Sequence, residues 1–263
     1  MAKGELILTL AFTEPDTYYS SNINPRAIED DGGYIISGTK LFVPDAHVAD
    51  YLICVSRTSG NLSEEEGITL FLVNSQSAGI SFTLLKTIAG DKQCEVTLDG
   101  VKVPKDSLLG ERDRGWELLQ RVLQHAAIGK CAEMVGGAQQ VLEMTANYAK
   151  ERVQFGRPVG SFQAVQHHCA NMFIDVEGMS FITYQTAWKL SQGLPSAKEV
   201  SMAKAWVSDA YQRVVLLGHQ VLGGVGYTED HDMPLYFKRA KAAQLLFGDA
   251  KFHREIVARH LAL

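Results

Sequence analysis

The side chains best suited to chemistry in this 263-residue sequence gather in three short stretches. In YAKERVQFGRPVGSFQAVQHH (148–168), Arg152 and Arg157 flank Phe155 within a turn rich in glycine and proline. Arginine offers a forked, permanently charged donor set, and phenylalanine a flat apolar face. In QVLGGVGY (220–227), a glutamine precedes glycines that let other groups approach the backbone. In LFGDA (246–250), Asp249 is the only carboxylate. Each stretch also has a plain structural role: a helix connection with solvated arginines, a helix C-cap and a helix N-cap.

Other chemistries find little support. His167 and His168 are adjacent, so a helix sends them in divergent directions and they cannot ligate one metal as a pair. Cys54, Cys94, Cys131 and Cys169 lie far apart with no CxxC, which suits buried thiols of a reducing cytoplasm. A net charge of −5 offers nucleic-acid phosphates no basic face. The acidic run at 64–66 reads as a solvated loop tip. No apolar run approaches the roughly 20 residues of a membrane span. Glu5 interrupts the short N-terminal apolar run, so it reads as an early strand and not a signal peptide. GGVG is no dinucleotide fingerprint, since no strand precedes it and the spacing differs.

Two patterns supply the elements that must hold these residues. Up to about residue 108, short β-branched and aromatic runs at 6–12, 34–37, 51–56, 68–73, 80–84 and 94–103 alternate with turn clusters. Asp99-Gly100 reads as a two-residue hairpin turn, and the spacing suggests a small barrel or sandwich. From about residue 113 the apolar period becomes 3.6. Helices are expected to about 151, then over 162–190, 196–222, 234–247 and 250–260, with Ser161, Pro234 and Asp249 marking starts. Gly136-Gly137 inside the first allows close helix contact. The expected fold is α+β: a small β-barrel domain over 1–110, then an antiparallel four-helix bundle with an extra C-terminal helix over 111–263.

Several motifs, in order along nearly the whole chain, resemble the acyl-CoA dehydrogenase family. The stretch 148–168 resembles that family's signature, whose arginine and phenylalanine contact FAD across a subunit interface. QVLGGVGY resembles its QxxGGxGY motif, whose glutamine and glycine backbone hold the FAD of a neighbouring subunit. The resemblance makes Arg152, Gln154, Phe155, Gln163, Gln220, Gly223 and Gly224 FAD-binding residues, with Arg152 suited to a pyrophosphate and Phe155 to adenine. LTLAFTEP (8–15) is similar to the strand along the flavin ring, which places Leu10, Phe12 and Thr13 there. GYIISGTKLFVPD (33–45) is similar to the second flavin segment, with Phe42 where the family carries tryptophan. After Thr-Glu-Pro the family continues Gly-x-Gly-Ser-Asp, and this chain instead reads DTYYSS (16–21).

The resemblance implies α,β-dehydrogenation of an acyl-CoA thioester, with a carboxylate removing the α-proton and flavin accepting the β-hydride. The family's glutamate precedes the last helix. Alignment on 254–259 puts Phe247 at that position, and alignment on Arg239 puts Gly248 there. A second location used by some relatives falls near Ala126. The resemblance leaves Asp249, the only carboxylate in that turn, as this chain's candidate for the base; the alternatives are that Asp249 is a helix cap alone and that a partner subunit supplies the carboxylate. Relatives begin with a helical domain that this sequence lacks, so Met1 resembles an internal position. The implied partners are acyl-CoA, an electron-transfer flavoprotein-type acceptor, and either identical subunits or a catalytic paralogue in a heterotetramer. The alternative is a non-catalytic FAD-binding or scaffold subunit. No metal, nucleic acid or membrane partner is expected, and the expected compartment is the cytoplasm.

Overall fold

The computed structural model describes residues 3–15, 21–62 and 64–262. Contacts within the chain divide it into two units, Met1–Val122 and Leu123–Leu263, each with its own apolar core. The α+β arrangement is as expected: strands first, helices after.

The first unit holds β1 (Leu8–Ala11), β2 (Arg26–Asp30), β3 (Gly33–Pro44), β4 (Tyr51–Arg57), β5 (Ile68–Asn74), β6 (Ile80–Leu85), β7 (Gln93–Pro104) and β8 (Leu108–Leu109). They form one mixed sheet in the order β6-β7-β3-β2-β4-β5-β8, with β1 parallel to β4. Among the described residues no ladder joins β6 to β8, so the expected barrel is not closed. Inward residues such as Ile36, Leu52, Phe71, Val96 and Leu98 are buried, each worth about 1.5–3 kcal/mol over exposure.

Asp99-Gly100 is not the hairpin turn expected of it. Asp31-Gly32 closes the β2–β3 hairpin, where Asp30 faces Gly33 and Gly32 has φ +99°. Asp99-Gly100 lies inside β7, whose two halves both pair with the 12-residue β3. Ile36 faces Val101 while Gly38 faces Leu98, so β7 carries one extra residue. Gly100, at φ +62°, takes up that bulge.

The second unit is built from α1 (Gly115–Glu151, which begins in the first unit), α2 (Gln163–Ser191), α3 (Ala197–Leu222), α4 (Met233–Leu245) and α5 (Ala250–His260). α3 is central: Val200, Ala203, Val207, Ala210, Val214 and Leu222 are buried, and it packs against α2, α4 and α5. Trp206 lies at the edge of that stripe and is 46% exposed. Gly137 permits a close approach, since a Cβ there would lie 2.2 Å from the Tyr211 hydroxyl.

Ser161 is not the cap of α2. Residues Val159–Ser161 form a 3-10 turn in which Ser161 Oγ donates to the Pro158 carbonyl at 2.7 Å, and α2 starts without a side-chain cap. Gly160 serves close packing, not a positive φ: a Cβ there would meet the Ala149 carbonyl oxygen at 2.8 Å. α4 stops at Leu245, short of the expected Phe247, because Phe247 and Gly248 take φ +59° and +93°.

The helices alternate in direction. A Cβ on Gly218, late in α3, would lie 2.9–3.0 Å from Met233, Thr145 and Val141, so the α1–α2 and α3–α4 connections share one end of the bundle. Lys204, early in α3, reaches the end of α4, so the α4–α5 break lies at the other end.

Candidate functional site

At the first end of the bundle, Val153–Gln154 (β9) and Arg157–Pro158 (β10) pair as a hairpin between α1 and α2. Gln154 faces Arg157, which leaves Phe155-Gly156 as a two-residue turn with φ +53° and +77°. Two positive φ values are what a tight hairpin turn with right-handed twist demands. A phenylalanine there is costly by about 1–2 kcal/mol, yet its ring is 92% exposed. The ring packs edge-on against Phe162 at 6.0 Å, and the Arg157 guanidinium lies over Phe162 at 4.1 Å. Arg152 anchors the base of the hairpin through its backbone, donating to Tyr148 and accepting from Val159, both at 2.8 Å. Its exposed side chain has no partner among the described residues. Gln154 and Gln163 are also exposed.

The other turn at this end follows α3. Gly223, at φ +61°, caps the helix and donates to the His219 carbonyl. A Cβ on Gly223 or Gly224 would meet nothing within 4 Å, so backbone lies open there, beside exposed Gln220. The His219 ring is buried beneath the turn, 4.6 Å from Tyr227 and 5.5 Å from Phe237.

In the β unit, Leu10 and Thr13 are half-buried, and Thr13 accepts from the Leu41 amide at 2.8 Å. Phe12 is buried, 6.4 Å from Trp116, so its side chain is turned into the unit. Phe42 is 51% exposed at φ +53°, pushed out where the β3–β7 register shifts between Lys40 and Val43. Lys40 Nζ, fully buried, donates to Glu14 at 2.6 Å and to the Phe12 carbonyl at 3.2 Å. Glu14 also accepts from the Asn24 amide at 2.9 Å. That pair ties the Thr-Glu-Pro strand to β3. The DTYYSS departure falls at 16–20, outside the described residues, apart from Ser21.

At the opposite end lies the 246–249 break. A Cβ on Gly248 would come within 2.4 Å of the Phe252 ring, so only glycine fits. Asp249 Oδ1 accepts from the Phe252 amide at 2.8 Å and caps α5. Two buried side chains hold the break. Lys204 Nζ donates to the carbonyls of Gly248 (2.9 Å), Gln244 (3.0 Å) and Ala243 (3.2 Å), and to Ser208 Oγ (3.1 Å). The His253 ring spans Phe247 O (2.8 Å) and Ser201 Oγ (3.2 Å). A carbonyl only accepts, so Nε2 carries the proton and Nδ1 takes the Ser201 hydroxyl. Burial pulls the Lys204 pKa down to about 8 against the attraction of Cys131 and Asp249. Burial likewise pulls the His253 pKa down to about 4, although the Phe247 carbonyl favours its protonated form.

Sequence reading passed over Lys204, His253 and the Lys40–Glu14 pair. A signal existed for Lys204, a charge set among Val200, Ala203 and Val207 on a buried stripe. The hairpin and glycine turn share one end of the bundle, and Asp249 is at the other, about 24 Å away along the 16 residues from Lys204 to Gln220.

The acyl-CoA dehydrogenase C-terminal domain model matches residues 113–262, and the middle domain model residues 9–101. An acyl-CoA dehydrogenase of Bacillus subtilis (strain 168) is 31% identical over 267 residues, covering 99% of this chain and 70% of the relative. The structure of butyryl-CoA dehydrogenase from Megasphaera elsdenii superposes with a TM-score of 0.95 at 27% identity, covering 99% of this chain and 69% of that one. A structure of PigA with FAD and proline gives 0.93 at 27% identity, covering 99% of this chain and 69% of that one.

Proposed function

The chain belongs to the acyl-CoA dehydrogenase family, and from that premise we propose that it is an FAD-dependent oxidoreductase that dehydrogenates an acyl-CoA thioester between its α and β carbons. One observation carries the reading: a strained hairpin turn holds the Phe155 ring in the open, and Arg152 at the base of that hairpin has no side-chain partner among the described residues. Among the described residues the ring meets only the edge of Phe162, which leaves its face open to the planar base of a cofactor whose pyrophosphate Arg152 would hold.

The residues fit such a group. Arg152 would bind pyrophosphate through a charge-assisted fork, and Phe155 would stack on adenine. Gln154, Gln163 and Gln220 would supply amides, and Gly223 and Gly224 bare backbone. Leu10, Thr13 and Phe42 would line the ring in the β unit, where Phe12 is buried beneath. FAD, when bound, accepts the hydride from the β-carbon. The functional domains are the strand region to residue 110 and the bundle from 111.

Asp249 is the carboxylate we assign to the α-proton. Its Oδ1 caps α5, and Oδ2 has no hydrogen-bond partner among the described residues. A partner subunit as the source of the base is the second reading, favoured by Phe247, which cannot accept a proton at the position matched to the family's glutamate. Asp249→Asn separates the two, because asparagine still caps a helix but is no base.

Association fits the surface of α2, which exposes Phe173 (54%), Ile174 (65%), Phe181 (70%), Tyr184 (72%) and Trp188 (57%). An aromatic face of that kind suits a subunit interface, with an identical chain or a paralogue. Electrons would leave to an electron-transfer flavoprotein-type acceptor. Among the described residues no helix is long and apolar enough to cross a membrane, and the compartment we assign is the cytoplasm.

A further inference from the structure

We propose that Lys204 and His253 are positioning residues: from inside the bundle they lock the 246–249 break, and so set where side chains 247 and 249 meet an acyl thioester. The functional half of this statement rests on the reading that the break faces the thioester.

The choice of lysine at 204 needs a reason. Its ammonium is fully buried, and its four hydrogen-bond acceptors are three carbonyls and a hydroxyl, none of them charged. Burying a charge without a hydrogen-bonded counter-ion is costly, and an apolar side chain would complete the stripe of Val200, Ala203 and Val207 more cheaply. What the lysine does provide is a partner for helix carbonyls that α4 leaves without intrahelical donors. It also draws the Gly248 carbonyl inward. His253 reaches from α5 to the preceding carbonyl, that of Phe247, and Ser201 fixes the ring from behind.

Successive carbonyls, 247 and 248, are therefore held by side chains of two different helices. Two consecutive peptide planes are fixed, and with them the Cα–Cβ directions at 247 and 249. This accounts for Phe247 staying at φ +59°, a conformation a phenylalanine leaves readily unless its surroundings over-determine it.

The test uses the FAD-loaded protein and the variants Lys204→Met, His253→Leu and His253→Gln. Glutamine can still donate to the Phe247 carbonyl and accept from Ser201, so it is the conservative control. Amide hydrogen exchange is followed across the bundle, and butyryl-CoA affinity is read from the flavin band. In Lys204→Met and His253→Leu, exchange at 246–249 should quicken at least about tenfold relative to α2 and mid-α3. Butyryl-CoA binding should weaken about tenfold at unchanged FAD content, mostly as a change in affinity and not in flavin spectrum. His253→Gln should restore both. Unchanged exchange at the break, or an equal increase throughout the bundle, would overturn the proposal, since the second is loss of general stability. Wild-type protein that binds FAD but no thioester would refute the proposed function, and the exchange data would still decide the clamp.

Discussion

The Arg157 guanidinium lies 4.1 Å above the Phe162 ring, while Arg152, at the other strand of the same hairpin, has no side-chain partner among the described residues. Two arginines five residues apart thus have different work. Arg157 fastens the hairpin to the start of α2, and Arg152 is left for a ligand. Arg152→Ala should weaken FAD retention by about 1.5–3 kcal/mol, the worth of a charge-assisted contact. Arg157→Ala should lose only about 0.5–1 kcal/mol of stacking at an exposed site. Equal FAD occupancy in the two variants after gel filtration would refute the assignment.

The exposed aromatic face of α2 predicts association. Sizing chromatography at micromolar concentration should show a dimer or larger, and Phe181→Lys with Tyr184→Lys should reduce it. A clean wild-type monomer would remove the role given to that face.

Stability should depend on pH through His253. Its folded pKa of about 4 lies below the ordinary value of 6.5. The neutral ring is therefore favoured by folding, and its contribution is complete above pH 6.5. It is lost as pH falls toward 4, by an amount on the order of 3 kcal/mol. Urea midpoints measured between pH 7 and 4.5 should drop more steeply in wild type than in His253→Gln. Parallel curves would show that another group carries the acid sensitivity.

Glycines at the two ends of the bundle should answer differently to one methyl group. Gly248→Ala meets Phe252 at 2.4 Å on a backbone at φ +93°. It should destabilise by about 1–3 kcal/mol in urea titrations. Gly224→Ala enters open space at an ordinary φ, so it should leave the urea midpoint nearly unchanged while lowering FAD occupancy. The reverse order would contradict the placement of both turns.

Asp249→Asn should keep the helix cap and abolish flavin reduction by an acyl-CoA in stopped flow, with FAD content and urea midpoint unaltered. Reduction at the wild-type rate would show that a different group takes the α-proton.

Much of the helical unit was legible because burial on one face imposes the 3.6 period directly on residue choice, as along Val200, Ala203 and Val207. The α4–α5 break was legible for the same local reason: Gly248 and Asp249 are a stop and a cap. What escaped depends on partners distant in sequence. Asp31-Gly32 and Asp99-Gly100 are the same dipeptide, and only the length of β3 makes one a hairpin turn and the other a bulge. Phe155 at positive φ has no composition signal, since the hairpin around it consists of two-residue strands. Lys204 was visible as a charge on a buried stripe, but its acceptors lie up to 44 residues further along the chain.

The most direct test of the dehydrogenase reading is anaerobic titration of the purified, FAD-loaded protein with butyryl-CoA, watching the flavin's visible band. The protein should retain FAD, and its band should bleach with the thioester but not with free butyrate. A chain that retains no FAD, or whose bound flavin is unchanged by any acyl-CoA, would contradict that reading.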